Sequence, residues 1–271
     1  VPSPSNTTES GRKLLAAHPD TPGTLGMAIS EAVEAALADP DTRYSLGSVL
    51  NHVVLHQTII GQEVIKQLEM VDEQADIMIG CNGGGSNFSG FVFPMLGAQM
   101  RTGKLTTKFL AVEAAACPKL TKGVFAYDYS DSVGLTPLTQ MYTLGHDFEI
   151  QGIHAGGLRY HGDSPLLSAL YRAGKVSAVA VEQKAVFEAA LLFAREEIIL
   201  PAPESAHAIA AAVAEAKSCA QTGEAKTIVL CLSGNGYFDL AAYEQFLSGK
   251  MQDVVLTEEI LQRGRATIPQ Q

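Results

Sequence analysis

The stretch Asn82-Gly83-Gly84-Gly85-Ser86-Asn87 has the composition of an anion site. It follows the short apolar run Asp76-Ile77-Met78-Ile79-Gly80-Cys81 and precedes Phe91, Val92, Met95 and Leu96 at helical spacing, so the order is strand, glycine loop, helix. Without Cβ atoms, several N–H groups can converge on one anion, and the amino end of the following helix adds partial positive charge. The loop therefore reads as a phosphate cradle. It is neither the GxGxxG dinucleotide fingerprint nor a nucleotide P-loop, because no Gly-Lys-Ser/Thr follows. A plain tight strand-to-helix turn would use the same residues, and the loop alone does not separate the two readings.

Three further groups carry possible chemistry. The apolar run Ile228 to Leu232 ends in Ser233-Gly234-Asn235-Gly236, which would deliver a hydroxyl at the carboxyl end of a strand, where open α/β sheets bind ligands. The bland alternative is a serine that shapes a Gly-rich turn. In Pro201-Ala202-Pro203-Glu204-Ser205-Ala206-His207, the Pro-Glu pair stands where a helix begins. Glu204 is then either a dipole partner for that helix or a carboxylate at the rim of the same crevice. The run His154 to Gly162 is Gly-rich and dense in His, Arg and Tyr; Arg159 there has the planar fork that grips a carboxylate, or is a solvated loop arginine. His154 and His161 have no Cys or carboxylate at ligand spacing, so no transition-metal site is read.

Strands are expected at Thr107 to Glu113, Val176 to Val181 and Thr227 to Leu232, and helices at Glu182 to Glu196 and Glu204 to Ala220. That alternation suits a covered parallel sheet and an α/β class. Residues 1 to 23, rich in Pro, Ser and Thr, read as a loop; Thr24 caps a helix that ends near Asp39-Pro40. A further helix from about Gly47 to Met70 is apolar on so many faces that it reads as a buried core helix or one set against a partner. Pro94 falls inside the helix after the glycine loop and should kink it.

The chain has 271 residues, 46% of them apolar, and a formal charge of -10 from 29 acidic and 19 basic side chains. No basic cluster suited to nucleic acid appears. No apolar run approaches the roughly 20 residues of a membrane helix. The four cysteines lack CxxC spacing, two of them sit in apolar strand-like runs that read as buried thiols, and a reducing, cytoplasmic setting fits. The start at Val1-Pro2 lacks Met and signal character, which reads as a piece of something longer.

Taken together, the strings resemble the tryptophan synthase β chains of the divergent second type. The motifs stand in order at Gly47 to His52, His56 to Gly61, Gly83 to Pro94, Ala116 to Gly123, Gly134 to Leu138, Tyr142 to Phe148, His154 to Gly162, Pro201 to Ala208 and Leu232 to Gly236. The loop HAGGLRYHG separates this type from the commoner β chain, which has an SAGLDYPG-like loop. The resemblance implies a three-layer α/β fold of fold-type II with a parallel or mixed sheet, cut at the amino end. Residues 1–45 would be a remnant of the amino-terminal domain, 46–250 the cofactor-phosphate-binding domain and 251–271 a tail. It also implies pyridoxal 5'-phosphate as cofactor and a β-replacement that joins L-serine and indole into L-tryptophan. Gly83, Gly84, Gly85, Ser86 and Asn87 would hold the phosphate. Ser233 would meet the pyridine nitrogen and leave the ring neutral, and Glu204 would match a family glutamate beside the cofactor. Arg159 stands where the commoner β chain has an aspartate, so its expected place near the substrate rests on its own chemistry.

Two departures are local: Glu197-Ile198-Ile199-Leu200 replaces the family's EGII, and Glu113-Ala114 replaces Glu-Pro. A third is larger. The family's cofactor lysine lies in an HKxN motif and its catalytic carboxylate in a GAGQWG-like loop, and neither string occurs here. The chain alone is therefore expected to be incompetent. Other fold-type II serine or threonine β-eliminases, and a noncatalytic anion-binding fragment, stay as alternatives. A homodimer is expected; an α subunit and a monovalent cation held by backbone carbonyls are left open.

Overall fold

The computed structural model describes residues 2–45 and 47–270. The chain begins with α1 (Glu9–Ala17), α2 (Leu25–Ala38) and α3 (Asn51–Met70), then β1 (Ile77–Cys81), α4 (Ser86–Thr102), β2 (Lys108–Ala114) and the single turn α5 (Lys119–Lys122). A hairpin, β3 (Val124–Asp128) and β4 (Thr139–Thr143), leads through a 3-10 turn at Gly156–Leu158 to α6 (Pro165–Arg172). The remainder is β5 (Ser177–Val181), α7 (Gln183–Glu197), α8 (Pro203–Thr222), β6 (Ile228–Leu230), α9 (Leu240–Leu247) and α10 (Glu258–Arg265).

The main sheet has the order β5-β2-β1-β6 and is parallel throughout. All five residues of β1 are buried, as a strand covered on both faces requires. Alternation along the strands sorts the core into two layers. Met78, Phe109 and Ala111 pack on one side with Phe88, Phe91, Val92 and Leu96 of α4. Ile77, Ile79, Leu110 and Val112 pack on the other with Ala208, Ala211 and Ala212 of α8. Helices thus cover both faces, as the expected three-layer α/β class demands. The antiparallel hairpin β3–β4 forms a separate two-stranded sheet, which the sequence reading did not anticipate.

Two expectations are corrected. Residues 1 to 23 are not all loop: Thr8 accepts from the Gly11 N–H and caps α1, which lays Ser10, Gly11 and Leu14 inward. Ser5 and Thr8 hydroxyls gather on the Glu31 carboxylate of α2, so the polar composition that suggested a loop is used to dock one. Helix α3 is not a buried core helix either. Only Val54 and Gly61 are buried on it, while Leu55 is 68% and Ile59 54% exposed. It forms an outer layer against α4, with Val64 and Leu68 reaching the core. The contact depends on Gly61, where an added Cβ would lie 2.7 Å from both the Gly90 carbonyl oxygen and Pro94 Cδ. Pro94 has no N–H to bond the Gly90 carbonyl four residues earlier, and that carbonyl faces Gly61 together with the carbonyl of Phe91.

The departure at Ile198 has a physical consequence. Ile198 ends α7 with φ of +58° and is 83% exposed. A β-branched residue in this left-handed region meets its own carbonyl, at a cost of roughly 1–2 kcal/mol. The exposed side chain recovers little in return. Ile198→Gly should therefore raise stability by about 1 kcal/mol after the entropy that glycine adds to the unfolded chain is subtracted. A urea midpoint unchanged or lowered in the variant would refute this.

Candidate functional site

β1 lies at the centre of the sheet and ends at Cys81, so the loop that follows stands at the carboxyl edge of the sheet. Gly85 turns the chain with φ of +109° and precedes α4 without any side chain capping that helix. The first N–H groups of α4 are left for an outside acceptor. Three other segments close on the same loop. An added Cβ on Gly83 would run into the Gly157 carbonyl oxygen, one on Gly84 into Ser48 Oγ, and one on Gly85 would lie 2.7 Å from Asp163 Oδ1. The Ser164 N–H donates to the Gly84 carbonyl at 3.0 Å. Only a backbone free of Cβ atoms fits this convergence.

The cavity above the loop has a volume of about 300 Å³ and is lined by Ser48, Cys81, Gly83 to Asn87, Gly157, Leu158, Ala202, Glu204, Ser233 and Gly234. Ser233 follows β6, the strand beside β1, and its Oγ is 4.0 Å from Cys81 Sγ. Ser205 donates its hydroxyl to the Ser233 carbonyl, tying that turn to the first turn of α8. Glu204 in the same turn accepts from the Gly157 N–H at 2.9 Å, so the carboxylate is both at the helix's positive end and at the rim of the cavity. Asn87 reaches back with Nδ2 3.4 Å from the Cys81 carbonyl oxygen. Burial pushes the Cys81 thiol up to about 12, which makes it a neutral wall of the cavity rather than a thiolate.

The loop and helix residues singled out from sequence are thus brought together: Gly83, Gly84, Gly85, Ser86, Asn87, Ser233 and Glu204 share one cavity. Arg159 does not line it. Its Nη2 donates to the Gly23 carbonyl at 2.6 Å. The polar density around it is likewise spent inside the fold. Tyr160 donates its hydroxyl to the Ser130 carbonyl at 2.9 Å, and His161 Nε2 lies 2.9 Å from the Tyr129 carbonyl. Only Gly157 and Leu158 of that loop face the cavity. Sequence reasoning did not place Ser48, Cys81, Leu158 or Ala202 there. For Ser48 a signal existed in its motif, but proximity across 35 or more positions is a property of the packing.

The cavity has the chemistry that a phosphate would require: free N–H donors at a helix start, no side chain in their way, and hydroxyls at Ser48 and Ser86 in its lining. The sequence profile described as "Pyridoxal-phosphate dependent enzyme" matches residues 8–234. The chain belongs to that family. Among curated relatives in the family, "Tryptophan synthase beta chain 2" of Aquifex aeolicus is 58% identical over 255 residues, which is 93% of this chain and 59% of that protein. The protein of the same name from Thermotoga maritima is 56% identical over 90% of this chain and 57% of its own length. The chain therefore spans under three fifths of the length of these relatives. Among solved structures, a fungal L-serine ammonia-lyase from Rhizomucor miehei superposes with a TM-score of 0.62 at 18% identity, covering 83% of this chain and 65% of that one. At that identity the likeness concerns the fold alone.

In a member of this family, the residues placed to hold the cofactor would be those of the glycine loop, at its phosphate, and Ser233, which lines the same cavity. No lysine lines the cavity among the described residues. No helix among them is long and apolar enough to cross a membrane.

Proposed function

We propose that the protein to which this chain contributes its cofactor cavity catalyses a pyridoxal-phosphate-dependent β-replacement, joining L-serine and indole into L-tryptophan. The observation that carries this reading is the convergence of the glycine loop, Ser233 and Glu204 on one cavity, in a chain more than half identical to proteins named tryptophan synthase beta chain 2. Bound pyridoxal phosphate supplies an electron sink for charge that develops at the Cα of an amino acid. The chain's own residues orient that sink. The loop's N–H groups and the α4 start hold the phosphate, and the Ser233 hydroxyl meets the ring nitrogen without charging it. A hydroxyl at that position, unlike a carboxylate, would leave the ring neutral and so would favour β-substituent loss over transamination.

Glu204 holds the Gly157 backbone and sets the rim against which the substrate lies. Arg159, engaged with the Gly23 carbonyl outside this cavity, has no part in this reading. The lysine and proton-moving carboxylate of the HKxN and GAGQWG-like motifs would come from outside these 271 residues, so this chain alone does not turn over serine. Homodimerisation along the outer stripe of α3, at Leu55, Ile59 and Ile60, belongs to the same reading.

The test is product formation by the chain alone and by the chain joined to its natural upstream sequence, each given pyridoxal phosphate, L-serine and indole. Tryptophan from the extended form only, with tight cofactor binding, is the expected result. Pyruvate and ammonia formed at the same rate with or without indole would instead mark a serine β-eliminase. Absence of cofactor binding in both forms would reduce the glycine loop to a turn.

A further inference from the structure

Directly beneath the glycine loop lies a set of charges that the proposed reaction does not use. Lys119, at the start of α5, is fully buried, and so are Glu113 near the end of β2 and Asp163 before α6. The Lys119 ammonium donates to the Asn82 carbonyl at 2.9 Å and lies 3.4 Å from the Glu113 carboxylate. Glu113 also accepts from the backbone N–H groups of Leu120 at 2.8 Å and Thr121 at 3.1 Å. Asp163 accepts from the Asn82 side-chain amide at 2.5 Å and from the Ser164 N–H at 2.7 Å. Asn82, the residue that leads into Gly83, is thus gripped at its carbonyl by Lys119 and at its side chain by Asp163, while its own N–H donates to the Val112 carbonyl at 2.8 Å.

The electrostatics give this arrangement a purpose. Two carboxyl groups standing behind an anion cradle would repel the anion, and in a dry interior that repulsion is poorly screened. Lys119 is the only cation this cluster contains. Burial works against its ammonium, yet Glu113 and Asp163 outweigh burial and hold its pKa above the usual value. Burial pushes the Asp163 carboxyl up to about 7, against the opposing pull of Lys119 and Asn82. The cluster therefore depends on one fixed positive charge.

We propose that Lys119 is a positioning residue, a tethered internal cation that fixes the Asn82 carbonyl and neutralises Glu113 and Asp163 so that the glycine loop can accept a phosphate. The proposal rests on the reading of that loop as the cofactor-phosphate site. A buried ion pair with a purely structural role would affect folding but not discriminate between ligands with and without phosphate. The probes are pyridoxine 5'-phosphate and pyridoxine, which cannot form Schiff bases, titrated into the cofactor-free full-length protein. Their affinity ratio isolates the grip on phosphate.

Lys119→Met should lower that ratio at least about tenfold, the scale of loss when a group supporting a ligand shell is removed. Added ammonium or potassium ions, small enough to enter between the carbonyl and the two carboxylates, should restore it, whereas tetramethylammonium at equal ionic strength should not. Should Lys119→Met fail to fold, the double variant Glu113→Gln/Lys119→Met keeps the volume and the net charge and should show a smaller loss, through the freed Asn82 carbonyl alone. A ratio unchanged in a folded variant, or lost in Lys119→Met without ionic rescue, overturns the internal-cation role. A wild-type protein with no preference for the phosphate ester overturns the site reading itself, and the inference with it.

Discussion

Gly83→Ala should weaken binding of pyridoxine 5'-phosphate to the cofactor-free full-length protein about a hundredfold, and leave pyridoxine binding within about threefold. The methyl group would be driven into the Gly157 carbonyl oxygen. That atom is backbone and cannot rotate aside. Moving it would also disturb the Gly157 N–H, which donates to Glu204 at 2.9 Å. The loop is therefore the part that yields, and its N–H groups lose their common focus. Two charge-assisted hydrogen bonds, each worth roughly 1.5–3 kcal/mol when fully made, account for the hundredfold if they are misdirected and weakened rather than wholly lost. Gly152→Ala is the control, because an added Cβ there meets nothing within 4 Å. Fluorescence titration of both ligands reads the effect. A Gly83→Ala protein that discriminates the phosphate ester as the wild type does would mean that the anion is held elsewhere.

Much of this site was legible in the residues because its parts are local. A strand, three glycines and a helix start are contiguous, and the chemistry of free N–H groups follows from the absence of Cβ atoms. Helix α2 was equally plain, since Thr24 accepts from the Met27 N–H where its position predicted a cap. What escaped was set by pairing at a distance. The hairpin β3–β4 is half-exposed and short, with a ten-residue connection, so neither strand reaches the apolar density that marks β1. Helix α3 misled for the opposite reason: its apolar residues outnumber those it buries, and composition cannot tell which stripe meets α4. Arg159 shows the same limit at the level of one side chain. Its fork suits a carboxylate, but the carbonyl that takes it, Gly23, lies 136 positions away.

Acid should expose the cost of His207. This residue sits in the first turns of α8, fully buried, with Nδ1 2.7 Å from the Pro203 carbonyl oxygen. Burial lowers its pKa from the ordinary 6.5 to about 4, opposed only by backbone contacts to Pro203 and Glu204. The unfolded chain therefore takes up a proton that the folded chain refuses. Stability from this group is complete above pH 6.5 and falls as the pH drops from 6.5 to 4, by about 3 kcal/mol in all. Asp163 runs the other way: with its carboxyl raised from 3.8 to about 7, it favours the folded state at low pH and loses that advantage as the pH rises through 7. Between pH 4 and 6.5 the two slopes oppose each other, so the wild-type profile alone hides both. The difference between wild type and His207→Asn isolates one of them, since the Asn amide can still donate to the Pro203 carbonyl but carries no titrating proton. Urea unfolding at a series of pH values should give a difference that is constant above pH 6.5 and shifts toward the variant by about 3 kcal/mol at pH 4. A difference that stays flat across that window would mean that His207 is protonated within the fold, and that a carboxylate or water reaches it.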